Sequence, residues 1–370
     1  MGRGMTGYPS RRDLLAAAPA ALALLATPLP ARAAPGPSLG AVAASAGVLF
    51  GAAIAPVILS DPACAALYAS ETRVLTTDFS LKFDALRPSR DRYDFEGADA
   101  LLAFAQKNRI AMRGHTLVWN ENAPDWLRRL SGRETERVFD EHIETVVSRY
   151  AGKLHSWDVV NEPFWPEHGK DGGFRDGPWL AAMGPSYVER AFRRVAAIDP
   201  SAKLVLNEAH CENNNEYGKA IRPRLLQLVD KMLNAGLRLD AVGLQCHLQP
   251  DIARDNAFVR DYIELIGGGL VDVYITELDV NDEAFTGGIA ERDAASAREY
   301  ESFLTEILKA RRVTAVILWE LSDKYTWYIS LTKVLENLVR RSPRPLPYDD
   351  HMQPKLARAA IARALAARLP

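Results

Sequence analysis

Two glutamates occupy positions where a pair of carboxyl groups could act on one bond. Glu162 lies in the stretch Trp157–Pro163 and Glu277 lies in Thr276–Asp279, and each ends a short run of β-forming residues with tryptophans nearby. Cleavage of the acetal bond between two sugars needs one carboxyl group that donates a proton and one that stays anionic. The pair therefore predicts a glycoside-cleaving site, provided that the fold brings the two strand ends together.

The chain alternates short β-rich runs with longer stretches of helical periodicity, and these elements must position the two glutamates. The runs are Val48–Ile54, Arg73–Phe79, Ile110–Trp119, Leu154–Pro163, Lys203–His210, Ala241–Leu248, Asp272–Val280 and Ala315–Asp323. Eight strand and helix units predict an α/β fold, a single-domain (β/α)8 TIM barrel whose active face lies at the carboxyl ends of the strands. A doubly wound sheet is the alternative, but the glycine spacing of a phosphate-binding loop does not follow the first strand.

Composition excludes several classes of function. The chain has 370 residues, 48% of them hydrophobic, with 45 Lys and Arg against 47 Asp and Glu and a net charge of −2. This balance gives no basic field for a nucleic-acid partner. The three cysteines are too few for a disulfide framework and lack the paired spacing of a structural zinc site. Cys211 and Cys246 end neighbouring predicted strands, so a disulfide and two buried thiols both remain open.

The N-terminal residues have the pattern of an export signal. Ser10-Arg11-Arg12 begins it, an apolar stretch follows over 16–29, and small residues at 31–33 suit a signal peptidase. The paired arginines predict a twin-arginine type of signal over residues 1–33. A buried N-terminal helix is the alternative, but three prolines interrupt it.

This interpretation sets the expected boundaries and location. Residues 34–47 are predicted to be a short lead-in, and residues 48–370 the catalytic barrel. The apolar stretch is shorter than the about 20 residues of a spanning helix, so we expect no membrane anchor. The mature protein is expected to be a periplasmic or secreted monomer.

Several motifs together resemble one family. Gly114–Trp119, Trp157–Pro163 and Ile275–Val280, together with Trp319 followed by Asp323 and Trp327, resemble the family 10 glycoside hydrolases, the endo-β-1,4-xylanases. The likeness runs from about Phe50 to the C-terminus. It implies a retaining hydrolase of β-1,4-xylosidic bonds in xylan or xylo-oligosaccharides that uses no cofactor and no metal.

The resemblance also implies roles for the residues at the strand ends. Glu162 would be the general acid/base, and apolar surroundings and a second negative charge are expected to hold its carboxyl group protonated. Glu277 would be the nucleophile, supported by His247, which Asp279 would hold. Two further residues complete this centre: Asn161 would bind the sugar 2-hydroxyl group, and Gln245 would help to position the nucleophile.

Other residues resemble the family's sugar-binding positions. They are Lys82, His115, Trp119, Trp319 and Trp327. An aromatic face suits the apolar C–H face of a pyranose ring, which is the expected role of these tryptophans. The other tryptophans, Trp126, Trp157, Trp165 and Trp179, are as readily explained by packing. A structural role is expected for Glu208.

The chain departs from the family pattern at four positions beside these motifs. Asp78 and Phe79 stand where the family usually has Glu-Asn, Asn120 where it often has His, and Ala209 where it has a tyrosine of the leaving-group side. These differences put the outer subsites in doubt. A related β-glycanase that acts on short or decorated oligosaccharides is therefore an alternative.

Two other classes of function remain as alternatives. One is a metal-dependent barrel hydrolase with His115, His210 and His247 as ligands, although the chain lacks the His-x-His pattern of a first-strand metal site. The other is a non-catalytic sugar-binding barrel, which would have no need of both Glu162 and Glu277.

Overall fold

The computed structural model describes residues 36–329 and 341–368, so the predicted export signal at 1–33 lies outside the described residues. All eight predicted strands are present. The described strands are β1 (Leu49–Ile54), β2 (Val74–Thr77), β3 (Ala111–Gly114), β4 (Ser156–Asn161), β5 (Lys203–Glu208), β6 (Ala241–Leu244), β7 (His247–Leu248), β8 (Asp272–Val280) and β9 (Val313–Leu318).

These strands close into a parallel barrel, as the sequence predicts. They follow one another in the order β6, β5, β4, β3, β2, β1, β9, β8, and an additional pairing of β6 with β8 completes the ring. The two residues of β7 continue the line of β6 and pair with the end of β8, with His247 opposite Asp279. Because every pair is parallel, the carboxyl ends of the strands, which carry Glu162 and Glu277, lie at one rim.

Helices surround the barrel in the described part of the chain. Their bounds are Leu39–Ser45, Pro62–Glu71, Phe83–Leu86, Glu96–Asn108, Asp125–Arg128, Gly132–Tyr150, Pro178–Met183, Ser186–Ile198, Glu216–Asn234, Asn256–Leu265, Ile289–Ile307 and Leu356–Ala366. The first of these lies within the lead-in predicted at 34–47. The Ser38 hydroxyl accepts a hydrogen bond from the Ala41 amide at its start, and Leu39 and Ala43 are buried. The lead-in therefore carries a structural helix.

The core has two layers. A large apolar cluster fills the space between the sheet and the helices, and a second, small cluster contains Val74, Val205, Ala241, Tyr274, Ala315 and Ile317. The members of the small cluster come from five different strands, as expected for side chains that fill the inside of a barrel. The wall between β3 and β4 is tight, because a Cβ on Gly114 would lie 2.2 Å from the Trp157 ring. Glycine at this position is what lets the indole pack against the strand.

Strand β3 is shorter than the run Ile110–Trp119 predicts. Its regular pairing ends at Gly114, and the next peptide bond, His115–Thr116, is cis. Beyond it, the Leu117 amide still donates to the Asp158 carbonyl oxygen, and Val118 bridges to Val160. The segment thus follows β4 to the rim, where it places His115 and Trp119.

Candidate active site

Unusual backbone geometry collects at the carboxyl-terminal rim. Among the described residues, six that are not glycine have a positive φ. Four of these follow barrel strands: Glu162 (φ 46°), His210 (φ 61°), Cys246 (φ 61°) and Glu320 (φ 79°). Such conformations cost energy for residues with a Cβ and cluster at functional sites. The rim is therefore the candidate active site on backbone geometry alone.

Glu277 lies on β8 and is held as an anion. Its side chain is 7% exposed. The Asn207 amide donates to Oε1 over 2.7 Å, and the His247 Nε2 lies 3.2 Å from Oε2. Burial by itself would raise the pKa of Glu277, but the hydrogen bond from His247 and the positive charges of His115, His247 and Lys82 lower it to about 2. The Glu277 carboxylate is thus held ionised, with one oxygen beside Asn207 and the other beside His247.

Asp279 stabilises the protonated form of His247 on β7 and holds its ring. Its Nδ1 lies 2.9 Å from Asp279 Oδ2, directly across the pairing of β7 with β8. Burial would lower the pKa of His247, but the charge and hydrogen bond of Asp279, together with Glu277, raise it well above its usual value. Asp279 also accepts hydrogen bonds from Trp327 Nε1 (2.8 Å) and the Tyr328 hydroxyl (3.2 Å). Asp279 is therefore held by Trp327 and Tyr328 while it fixes the His247 ring beside Glu277.

The surroundings of Glu162 differ from those expected. The sequence predicts an apolar environment, whereas the carboxylate accepts hydrogen bonds from Arg175 Nη2, from Gln245 Nε2 (2.8 Å) and from Asn161 Nδ2 (3.3 Å). Its side chain is 12% exposed. Gln245 contacts both candidate carboxylate residues: its side-chain amide donates to Glu162, and its backbone oxygen accepts from the Glu277 N–H (3.0 Å).

Asn207 joins the two candidate catalytic groups. Its Nδ2 donates to Asn161 Oδ1 (2.8 Å) as well as to Glu277, and its Oδ1 accepts from the Thr276 hydroxyl (2.7 Å). The amide fits because the neighbouring β6 residue is Gly243, where a Cβ would lie 2.2 Å from Asn207 Oδ1. Because Asn161 in turn donates to Glu162, an unbroken chain of side-chain hydrogen bonds links both carboxylates.

A group of aromatic and basic side chains lies near Glu277. Lys82 Nζ is 5.3 Å from the centroid of the Trp119 ring and 5.5 Å from that of Trp319. His115 meets Trp319 edge to face at 5.4 Å, and Trp327 lies 5.0 Å from the His247 ring. These five residues, which the resemblance assigns to sugar binding, thus lie close to one another or to His247.

His115 is fixed from below by a buried acid that sequence reasoning missed. Asp158 on β4 lies 2.9 Å from His115 Nδ1 and also accepts from Arg113 Nη2 over 2.5 Å. Arg113 is fully buried in the barrel and also donates to Ser156 and Thr76. The buried ion pair of Arg113 and Asp158 therefore orients His115.

The four residues that differ from the family pattern lie in different environments. Phe79 is 47% exposed, whereas burial raises the pKa of Asp78 against the opposing charges of Lys82 and His115. The Asn120 side-chain oxygen accepts from the Trp179 amide (3.0 Å) at the start of a helix. Ala209 is buried and donates its amide to Glu208. Asn120 thus has a structural role, while Ala209 presents no aromatic ring at the rim.

Three further carboxyl groups near the rim are buried, and no cationic side chain among residues 36–329 and 341–368 lies at hydrogen-bond distance from them. Burial raises the pKa of Glu208 and of Glu320 well above the usual value, and that of Glu212 to about 7. Glu208 accepts from the Phe164 and Ala209 amides, and Glu320 accepts from the Trp327 amide. These bonds agree with the structural role expected for Glu208.

Three other findings concern ligands and anchoring. Within residues 36–329 and 341–368, no three or more His, Cys, Asp or Glu side chains are grouped so that they could hold a metal ion. All three cysteines, including Cys211 and Cys246, are buried free thiols. Of the helices that the structure describes, none has the length and apolar character needed to span a bilayer.

Nothing in the sequence singles out Arg175, which donates hydrogen bonds to both the carboxylate and the backbone oxygen of Glu162. Its guanidinium group is 2% exposed, donates to the carboxylates of Glu162 and Glu121, and lies 4.2 Å from the Trp165 ring centroid. Trp165 also lies near His210 and Tyr217, with ring centroids 5.7 Å and 5.3 Å away. The only signal in the sequence was an arginine in a loop that follows a catalytic strand, which by itself indicates little.

Comparisons with known proteins agree with the geometry. The chain matches the family described as "Glycosyl hydrolase family 10" over residues 38–364. It is 31% identical to "Endo-1,4-beta-xylanase 2" of Claviceps purpurea over 304 residues, covering 82% of this chain and 83% of that protein. It is 28% identical to "Endo-1,4-beta-xylanase A" of a Caldicellulosiruptor species, covering 83% of this chain but only 45% of that longer protein.

A solved structure shows the same similarity in three dimensions. The chain superposes on xylanase 10B from Thermotoga petrophila, determined in complex with xylobiose, with a TM-score of 0.78 and 28% sequence identity. The match covers 90% of this chain and 98% of that one. The likeness thus includes nearly the whole of the solved protein.

Proposed function

The chain belongs to glycosyl hydrolase family 10, and from that premise we propose that it is a retaining endo-β-1,4-xylanase in which Glu162 is the acid/base and Glu277 the nucleophile. The observation that carries the proposal is the contrast between two linked carboxylates. Glu277 is held as an anion with a pKa of about 2, while Glu162 contacts neutral amides and one arginine. Two carboxyl groups at one rim, one of them held as an anion, are what double displacement uses.

In the first step, Glu162 donates its proton to the glycosidic oxygen as the bond to the anomeric carbon breaks. Glu277 attacks that carbon and forms a covalent glycosyl-enzyme, which neutralises its charge. His247 and Asn207, both within hydrogen-bond distance of Glu277, keep its oxygens aligned before attack. Asn161 lies between Glu162 and Asn207, where it can meet the 2-hydroxyl group of the reacting sugar.

In the second step, Glu162 acts as a base. It removes a proton from a water molecule, whose oxygen attacks the anomeric carbon from the face that the leaving sugar vacated. The bond to Glu277 breaks, the carboxylate is restored, and the product keeps the configuration of the substrate. The Trp119, Trp319 and Trp327 rings beside Glu277 would stack on the sugars of the glycone side.

The test is a panel of xylans, mixed β-glucan and defined xylo-oligosaccharides, with products identified by mass. We expect xylose oligomers from internal cleavage, and an initial product of β configuration by ¹H NMR. Initial formation of the α anomer would contradict retention, and turnover that a chelator abolishes would favour the metal-dependent alternative. The xylobiose complex of the Thermotoga petrophila protein supports xylo-oligosaccharides as the substrate class.

A related β-glycanase for short or decorated oligosaccharides is the second candidate. Ala209 supports it, because this buried alanine offers no ring on the leaving-group side of Glu162. Faster turnover of xylotetraose or substituted oligosaccharides than of polymer, compared per bond cleaved, would favour this second candidate.

Export is part of the proposal. Arg11 and Arg12 ahead of an apolar stretch support a twin-arginine type of signal, with cleavage after Ala33. Sequencing the N-terminus of the protein recovered from the periplasm or medium tests it. An intact N-terminus on cytoplasmic protein would contradict it.

A further inference from the structure

Arg175 holds the acid/base candidate through two contacts and pairs with Glu121 through a third. Its Nη2 donates to the Glu162 carboxylate, its Nε donates to the Glu162 backbone oxygen (3.2 Å), and its Nη1 donates to the carboxylate of Glu121. The guanidinium group is 2% exposed, so little water screens these bonds. One rigid cation therefore lies between two carboxylates.

Glu277, the second carboxylate of the site, is a fixed anion that reaches Glu162 through the hydrogen bonds of Asn161 and Asn207. Gln245 and Asn161 are neutral donors. Two titratable side chains act on it from β5 and the loop that follows: burial raises the pKa of Glu208 and lowers that of His210, so both favour their uncharged forms. In the described part of the chain, Arg175 is thus the charged group within hydrogen-bond distance of Glu162.

Glu121 is the accessible end of this arrangement. Its side chain is 57% exposed. It lines, with Arg175 and Trp165, a cavity of about 670 Å³ between the loops that follow β3 and β4. The residue therefore contacts solvent on one side and the buried guanidinium group on the other.

We propose that the Arg175–Glu121 ion pair is a positioning device that sets the proton affinity of Glu162. The proposal rests on the proposed function of Glu162 as acid/base. An unbalanced arginine would favour the carboxylate and oppose proton donation in the first step, whereas a neutral residue at 175 would oppose formation of the base in the second. Glu121 offsets part of the arginine charge, so that Glu162 can serve in both steps.

The variant Glu121→Gln tests this idea, because it removes a surface charge without touching Glu162. We expect the alkaline limb of kcat/KM for phenyl β-xylobioside, whose leaving group needs a proton, to move to lower pH by about half a unit. For 2,4-dinitrophenyl β-xylobioside, which leaves without protonation, the profile should match that of the wild type. A purely structural role for Glu121 would alter both substrates equally.

The chain offers a matched control. Arg87 is also 2% exposed and pairs with Glu141, which is 56% exposed, over 2.9 Å, but it contacts neither candidate catalytic carboxylate. Glu141→Gln removes the same charge from an equally buried arginine and should leave both pH profiles unchanged. A shift in Glu121→Gln no larger than that in Glu141→Gln, or one to higher pH, overturns the proposal.

A second measurement needs no turnover. A ¹³C NMR titration of the Glu162 carboxyl group should show that it loses its proton at lower pH in Glu121→Gln than in the wild type, and at higher pH in Arg175→Gln if that variant folds. Absence of turnover on every β-xyloside would refute the proposed function, while the titration would still decide this inference. Coincident titration curves for wild type and Glu121→Gln would refute the ion-pair role alone.

Discussion

The two candidate catalytic carboxylates are held by different parts of the molecule. Glu277 is fixed from the sheet itself, since Asn207 lies on β5 and His247 on β7. Glu162 is fixed mainly by Arg175, which lies thirteen positions later in the loop that follows β4. One neighbourhood is built from paired strands, and the other from a loop side chain with an exposed counter-charge.

The difference agrees with what each group must do in the proposed reaction. A nucleophile needs one protonation state and one direction of approach, and strand-borne groups provide both because paired strands move little. An acid/base must change its charge in each step, so a partner whose own charge is balanced from solvent is suitable. Glu277 thus has fixed partners on paired strands, whereas the charged partner of Glu162 has a counter-charge that is exposed to solvent.

The largest expected effect comes from replacing each carboxylate by its amide. Glu277→Gln should lower kcat/KM by about 10⁵-fold on every substrate, because no covalent intermediate can form. Glu162→Gln should lower it by about 10²- to 10⁴-fold for phenyl β-xylobioside, but less than about tenfold for the 2,4-dinitrophenyl glycoside. Steady-state kinetics on the two substrates measure both effects.

The dependence on the leaving group is the decisive part of this test. Circular dichroism and thermal unfolding of both variants provide the control for folding. If Glu277→Gln, and not Glu162→Gln, retained turnover of the activated substrate, the two roles would have to be exchanged. Equal losses for both variants on both substrates would remove the distinction between the two regions.

The sequence predicted the nucleophile side better than the acid/base side. Eight β-rich runs predicted the barrel, and alternation along strands brought Glu277 and Asp279 to one face. The pairing of His247 with Asp279 was implied by the family resemblance, and the shared rim of parallel strands brings the two side chains to 2.9 Å. Regular hydrogen-bonded pairing leaves little freedom, so sequence position on these strands nearly determines spatial position.

Loops carry no such periodicity, and the structure differs from the sequence-based expectation mainly at residues that contact a loop. The apolar environment expected for Glu162 overlooked Arg175, because nothing in the spacing from 162 to 175 says that the loop folds back over the strand end. The contact of the Gln245 side chain with Glu162 was likewise not expected. Gln245 follows β6 directly, and its neighbour Cys246 has a positive φ. Local backbone conformation of that kind is decided by tertiary packing.

Asp279→Asn should have an intermediate effect on the nucleophile side. Asp279 is the main cause of the raised pKa of His247, so its loss should leave the imidazole neutral near pH 7 and lower kcat/KM by about 10- to 100-fold through misplacement of Glu277. A histidine whose pKa is raised on folding adds stability below about pH 6.5, which is lost as pH rises through the folded-state value. The loss of unfolding free energy, about 2–4 kcal/mol, should therefore be larger at pH 6 than at pH 10.

Urea unfolding at the two pH values measures that difference. Glu71→Gln is a suitable control, because Glu71 is a buried acid that pairs with Arg358 away from the rim and should affect stability without changing kcat/KM. A stability loss in Asp279→Asn that grew with pH would contradict the assignment of His247 as the charged partner.

The smallest expected effect lies on the acid/base side, at Trp165. Its ring covers the Arg175 guanidinium group at 4.2 Å, a contact worth about 0.5–2 kcal/mol. Trp165→Ala should admit water to the Arg175–Glu162 pair and lower kcat/KM for phenyl β-xylobioside about three- to tenfold, with little change for the 2,4-dinitrophenyl glycoside. Trp165→Phe, which keeps an aromatic face, should restore most of the loss. If both substrates lost activity equally, Trp165 would act by binding the aglycone sugar, and the loop would contribute to substrate binding instead of holding the acid/base.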